Sequence, residues 1–168
     1  MEITTHPASA PLDTREFRRA LGTFATGVTV ITTIRADGEP VGLTANSFNS
    51  VSLDPPLVLW SLALRSPSLN VFEQASHFAV NVLAADQVHV SQRFASPVPD
   101  KFADVGWRRG LAQLPVLDGV VARLECANTV RHLSGDHVIF IGQVERFAYE
   151  AKPPLLYCHG RYMCAQEI

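Results

Sequence analysis

A chain of 168 residues with 47% hydrophobic and 18% charged side chains is long enough for one domain with a packed core and too apolar for extensive disorder. Its formal net charge of −2 and pI near 6.3 argue against the global basic field that nucleic acid or an anionic membrane surface attracts. Cys126, Cys158 and Cys164 form no CxxC pair and cannot all pair within the chain, which points to a reduced, cytoplasmic setting.

Residues 1–12 carry no basic stretch followed by an apolar one, so they are not a secretory signal and read as a mobile arm. Residues 13–168 read as one domain. "DTREFRRALGTFATG" predicts a helix capped by Asp13 or Thr14, with Leu12, Phe17, Leu21 and Phe24 as its apolar face. "VTVITTIR" (28–35) is a β-branched strand, Asp37-Gly38 a hairpin turn, and "PVGLTA" the returning strand. "LVLWSLAL" (57–64) is a buried strand. "SPSLNVFEQA" (66–75) predicts a short helix capped by Ser66 or Ser68, and "HFAVNVL" another strand. Val88, Ser91 and Phe94 have helical spacing. Residues 95 to 116 are rich in turn formers and read as a long excursion, a length uncommon without a task. "VARLECANTVRHL" and "DHVIFIGQVERFAY" form two strands joined at Ser134-Gly135, and "PLLYCHGRYM" a short closing strand. About seven strands with few helices between neighbours predict a mainly β protein with flanking helices, an antiparallel barrel rather than a doubly wound sheet. No apolar run approaches the ~20 residues that span a bilayer.

Several familiar sites are missing. There is no GxGxxG, no GxxxxGK[ST], no GxSxG elbow and no HExxH. His132 and His137 flank a predicted turn, but two histidines without an acidic ligand make a poor metal case, and no metal is expected. The segment "GLTANSFNSVSLDPPLVLWSL" (42–62) is richer: hydroxyls and amides stand directly before a core strand. It is either an ordinary loop or a polar wall arranged around a ligand. A strand that breaks into Thr-Ala-Asn-Ser exposes backbone donors and acceptors together, which suits a planar heterocycle such as the pyrimidine side of a flavin. "LRSPS" sets Arg65 before Ser66 and Ser68 at a helix start, either a phosphate site or a capped helix beside a solvated arginine.

"FRRALGTFATGVTVITT", "VGLTANSFNSVSLDPPLVLWSL", "SPS", "FAVNVL", "DKF", "GDHVIFIGQVE" and "PLLYCHGRY", in that order from about Phe17 to Tyr162, resemble the short-chain flavin reductase family. These are the small components of two-component flavin-dependent monooxygenases. The resemblance implies an FMN-binding split β-barrel and a homodimer with flavin near the interface. It further implies reduction of FMN or FAD by NADH or NADPH, and delivery of reduced flavin to a partner monooxygenase's large component. By position, Thr44, Ala45, Asn46 and Ser47 would line the isoalloxazine, and Ser50, Val51 and Ser52 would continue that wall. Ser61, Leu62, Arg65, Ser66 and Ser68 would follow the ribityl-phosphate path. His137 would sit where the nicotinamide stacks, as the residue closest to the reaction, and Tyr157, Arg161 and Tyr162 would lie near the pyridine nucleotide. Phe94 and Trp107 either cover the site or pack the core. An alternative within the same fold is an enzyme that uses bound flavin to oxidise or oxygenate a small natural product itself.

The chemistry agrees with such roles. Hydride transfer needs two rings held face to face and no nucleophile. Donors aimed at the pyrimidine edge stabilise the charge that a flavin gains on reduction.

Overall fold

The computed structural model describes residues 12–165. The predicted arm therefore lies outside the described residues except for Leu12, which is exposed. In chain order the elements are α1 (Thr14–Leu21), β1 (Thr26–Gly27), β2 (Thr29–Ile34), β3 (Pro40–Ala45), β4 (Asn49–Leu53), β5 (Pro56–Ala63), α2 (Leu69–Gln74) and β6 (His77–Val82). There follow α3 (Val88–Ala95), β7 (Trp107–Arg109), a 3-10 turn (Leu111–Gln113), β8 (Pro115–Leu117), β9 (Ala122–Ser134), β10 (His137–Tyr149), β11 (Leu155–Cys158) and β12 (Arg161–Cys164).

Seven strands form one antiparallel sheet in the order β3-β2-β6-β9-β10-β5-β4. Its two edges, β3 and β4, are consecutive in the chain and joined only by Asn46, Ser47 and Phe48. The sheet thus curls until its edges meet without pairing, which is a barrel left split along one seam. A smaller sheet, β1-β11-β12, is tied to its side where Val28 donates to Leu155 O and Leu155 donates to Leu83 O.

β5 and β10 alternate apolar and half-exposed positions and turn the apolar ones inward, whereas β2 and β6 are buried on both faces, between the barrel core and the packing under α3 and the excursion. Trp60 and Phe140 stack with ring centroids 4.7 Å apart, and Phe72 from α2 meets Trp60 edge-on at 4.9 Å. Phe78, Ile31, Val58, Leu62 and Val138 fill the remaining space. At roughly 1.5–3 kcal/mol for each large apolar side chain, this cluster dominates stability. β9 bulges at Thr129, opposite the Ile141-Gly142 step of β10, and a Cβ at Gly142 would lie 2.4 Å from Phe78 Cζ. Only glycine lets that strand pass over the aromatic ring.

A second cluster lies under α3 and the excursion. Phe94 is buried, meets Phe102 at 5.0 Å, and Phe102 in turn meets Trp107 at 5.4 Å. Phe94 is therefore a packing residue, whereas Trp107 is half-buried, packs on Phe102 and also lines a surface groove. The excursion is ordered by the β7–β8 hairpin. Its anchor is Glu125, fully buried on β9, whose carboxylate accepts hydrogen bonds from Leu111 N and from Arg146, one of the latter at 2.8 Å.

Three sequence expectations need correction. β4 is a strand that hydrophobic patterning missed, because an exposed edge strand of alternating serine buries almost nothing and leaves no apolar period. The predicted single closing strand is a hairpin, β11–β12, turned at His159-Gly160 with both residues at positive φ. The apolar face predicted for α1 covers nothing: Phe17, Leu21 and Phe24 are exposed and the helix has no buried residue. Its predicted cap does form, since the Asp13 carboxylate accepts from Arg15 N and Glu16 N.

Burial pushes the Glu125 carboxyl up, but the hydrogen bonds from Arg146 and Leu111 and the charges of Arg146 and Arg123 outweigh burial and leave it below its ordinary 4.5. A carboxylate lowered in the folded state contributes stability that is complete above its unfolded value and is lost as pH falls through the folded one. Glu125→Gln is expected to cost about 1–3 kcal/mol near neutral pH. Urea unfolding across acidic pH checks this: the gap between wild type and variant should close below the ordinary value.

Candidate functional site

Thr44 and Ala45, at the end of β3, and Asn46, just beyond it, line one side of a cleft of about 190 Å³. Tyr157 and Tyr162 line another, and Val28, Ser91 and Ala95 complete it. The two tyrosines are cross-strand partners in β11–β12, with rings 5.4 Å apart and edge-on. Residues assigned separately in the sequence, one group to flavin and one to nucleotide, thus share a cleft.

Local bonding fixes this wall. The Thr44 hydroxyl donates to Ser91 O at 2.7 Å, and the fully buried Ser91 hydroxyl meets the Tyr162 hydroxyl at 2.9 Å. α3 therefore ties β3 to the closing hairpin. Sequence reasoning did not single out Ser91 for the site. Its signal was a polar residue on the otherwise apolar stripe Val88, Val90 and Phe94. At the seam, Ser47 Oγ accepts from Ser61 N at 2.9 Å and donates to Ser61 O at 3.1 Å. Its hydroxyl is spent closing the barrel, which leaves only its backbone for a ligand.

The other predicted positions spread along the seam and the outer wall. Ser50 and Val51 are exposed on β4, Ser52 is half-buried, and Val51 is the bulged residue between Ser50 and Ser52. Ser61 faces outward from β5, whereas the Leu62 side chain is buried in the core, so only its backbone can border a ribityl chain. The amides at the start of α2 are largely spent: Leu69 N donates to Ser66 O, and Val71 N and Phe72 N donate to Ser68 O. Neither serine makes the predicted side-chain cap to the helix, although Ser66 Oγ accepts from Ser68 N at 3.3 Å. The helix amides therefore have little to offer a phosphate, and such a contact would fall to the side chains of Arg65, Ser66 and Ser68. Ser68 lines a wider groove of about 680 Å³ with Gly42, Lys101, Phe102 and Arg109. There burial lowers the Lys101 ammonium below its usual value, and Nζ donates to Phe94 O at 2.8 Å.

His137 begins β10, next to the Gly135-Asp136 turn, and lies opposite Ala63 on the outer face that Ser61 shares. Its Nδ1 is 2.7 Å from Asp136 Oδ1. The hydrogen bond and charge of His137, with a smaller contribution from Arg65, hold the Asp136 carboxyl below its usual range. Arg65 and Arg161 are exposed. Neither they nor His137 line the narrow cleft.

The unspent polar groups test what the cleft can hold. Thr26 lies opposite Tyr157 and its buried hydroxyl has no partner among the described residues. Asn46 is exposed and its amide makes no hydrogen bond among them. β3 and β4 each leave one backbone edge unpaired, and β3 ends at this cleft. A donor- and acceptor-edged ring between aromatic and alkyl walls fits such a lining. The volume is too small for a whole dinucleotide and matches one ring edge. The fit is therefore to the polar side of a flavin, with the remainder on the exposed outer wall.

A family model described as "Flavin reductase like domain" matches residues 21–165. The chain belongs to the flavin reductase-like family. It is 49% identical over 148 residues to the reductase component of a flavin-dependent trigonelline monooxygenase from Acinetobacter baylyi, covering 88% of this chain and 48% of that one. It is 46% identical over 150 residues to the FMN reductase (NADH) SmoA of Agrobacterium fabrum, covering 89% and 85%. The present chain thus spans about half the length of the first relative and most of the second. Among solved structures, the Streptomyces globisporus NADH:FAD oxidoreductase SgcE6, in complex with NAD and FAD fragments, superposes with a TM-score of 0.86 at 39% identity over 92% of this chain and 96% of that one. Members of the family with this architecture are split-barrel flavin reductases, so the predicted fold class holds.

Replacing Ser47 by Ala removes both bonds across the seam and leaves Ser61 N without its partner. The expected loss is about 1–3 kcal/mol. Urea denaturation of the variant measures it, and unchanged stability would show that the seam does not depend on this hydroxyl.

Proposed function

We propose that this chain is an NAD(P)H:flavin oxidoreductase that reduces FMN or FAD and passes the reduced flavin to a partner monooxygenase. The observation that carries the reading is the convergence of the Thr44–Asn46 edge and the Tyr157/Tyr162 pair on one cleft. The relatives' names agree: one is a monooxygenase reductase component, one an NADH-dependent FMN reductase. Flavin, when bound, supplies the hydride-accepting ring. The chain's own groups bind and orient. Asn46, Thr26 and the open β3 and β4 edges meet the ring's polar side, and Ser50 to Ser52 extend that wall. The Ser47 backbone belongs to the ring wall, and Ser61, Arg65, Ser66 and Ser68 follow the ribityl-phosphate chain, joined by the backbone of Leu62. Tyr157 and Tyr162 at the cleft, and His137 on the outer face beyond it, are the groups that would meet the nicotinamide, with Arg161 at the nucleotide end. Stacked rings in a defined orientation need little else from the protein.

The proposed state is a homodimer in the cytoplasm. Support comes from the uncovered apolar surface: Leu53 is 94% exposed, Leu133 72% and Phe24 76%, beside Val51, Phe17 and Leu21. Exposed apolar side chains on α1, β4 and β9 fit coverage by a second copy, which would also enclose the flavin wall on β4. The thiols are unpaired, as in a reduced compartment, and no helix among the described residues is long and apolar enough to cross a membrane.

The test is oxidation of NADH or NADPH followed at the nicotinamide absorbance with FMN, FAD or riboflavin added. Turnover that depends on added flavin is the expected result, and none with either nucleotide would refute the reading. Asn46→Ala should raise the flavin dissociation constant about tenfold, the equivalent of one or two hydrogen bonds. His137→Ala should leave flavin binding close to wild type and raise the KM for the nucleotide.

A further inference from the structure

A second cleft, of about 570 Å³, opens between α1 and the tip of the β11–β12 hairpin, and the roles above leave it without a task. Arg15, Arg18, Arg19, Gly22, His159 and Gly160 line it. The arginines recur at helical spacing and share a face of α1, turned away from the face that carries Phe17 and Leu21. Only Arg19 has a carboxylate partner, Glu16; Arg15 and Arg18 pair with none among the described residues. Among the described residues no acidic side chain lines the cleft. Arginines lining one cleft, two of them without an ion-pair partner among the described residues, make it a place where an anion is stabilised. Their planar forks suit the paired oxygens of a phosphate.

The cleft is also held in shape. His159 sits in the left-handed region at φ 49°, which a non-glycine residue occupies only under restraint. The restraint is visible: His159 N donates to Gly22 O at 2.6 Å, and the Cys158 thiol lies 3.6 Å from the carbonyl oxygens of Gly22 and Thr23. The end of α1 and the hairpin tip are thereby locked together, which keeps the backbones that carry the imidazole and the arginines in a fixed relation. The same hairpin carries Tyr157 and Tyr162 on either side of its turn. Two residues of strand separate Tyr157 from His159, about 7 Å at ~3.3 Å per residue. A dinucleotide with one ring at the tyrosines has its pyrophosphate within reach of this cleft.

We propose that Arg15, Arg18 and His159 form the pyrophosphate site of the pyridine dinucleotide. The proposal rests on the reading that NAD(P)H is the hydride donor, and it adds a binding element outside the flavin wall. α1 buries none of its side chains, so Arg15→Ala with Arg18→Ala leaves the core untouched and favours the helix. The probe is ADP-ribose, which carries the pyrophosphate without nicotinamide, titrated calorimetrically into the full chain. Wild type should bind it, the double alanine variant should bind about tenfold more weakly or worse, and the double Arg→Lys variant should fall between. In turnover, the alanine variant should raise the NADH KM by a similar factor with the flavin dissociation constant unchanged. No ADP-ribose binding by wild type, or equal affinity in wild type and the alanine variant, overturns the proposal. Binding of ADP-ribose through these arginines in a protein that never reduces flavin would uphold the cleft and overturn the reductase reading instead.

Discussion

The structure depends on a sheet that curls far enough for its two edges to meet but does not join them. An unpaired strand edge is normally a liability, open to any chain that can add to it. Here both edges belong to consecutive strands, and three residues bridge them. The Ser47 hydroxyl stitches that bridge to β5 by donating and accepting at Ser61. The seam is held at fixed width while its outer backbone groups stay free. A ring with donors and acceptors along one side can use such an edge, and water is displaced from groups already positioned.

Around the seam, aromatic packing and one buried ion pair set the angles. Trp60, Phe72, Phe78 and Phe140 hold the barrel open to the width of stacked rings. Glu125 draws Arg146 and the backbone at Leu111 together, which seats the excursion against β6 and β2. Asn81 Oδ1 then accepts from Leu117 N, and the Thr32 hydroxyl reaches Pro115 O. The excursion in turn supports Phe102 and Phe94, and through Phe94 the helix whose Ser91 tethers Thr44 and Tyr162. The cleft is thus several contacts removed from the groups that fix its shape.

Much of this was legible in the sequence, for identifiable reasons. β2, β3, β5, β6, β9 and β10 carried their own signals of β-branched runs, bounding prolines and turn glycines. The polar segment 44–52 stood out because hydroxyls before a core strand are unusual. Other parts left no local trace. β4 earns little from burial, so its sequence is free of apolar period. The closing hairpin hides its turn behind His159, a residue that takes positive φ only because Gly22 O holds its amide. Glu125 reads as a surface acid until Arg146, 21 positions away, is brought opposite it by the β9–β10 register. The convergence of Thr44, Ser91 and Tyr162 is likewise a product of tertiary packing rather than spacing.

Gly42 and Phe94 sit back to back behind the cleft wall. A Cβ at position 42 would lie 2.6 Å from the Phe94 ring, so the missing side chain of one is the volume of the other. The two positions behave as a single compartment shared between a strand and a helix. A chain that keeps this architecture can enlarge one occupant only by shrinking its counterpart, and the separation of α3 from β3 is set by that shared volume. Thr44 and Ser91 stand one turn along the same contact, so the spacing that lets them bond is inherited from the compartment beneath them. Variation at 42 and 94 would therefore be coupled between homologous chains, and swapping both residues together would disturb the cleft less than changing either alone.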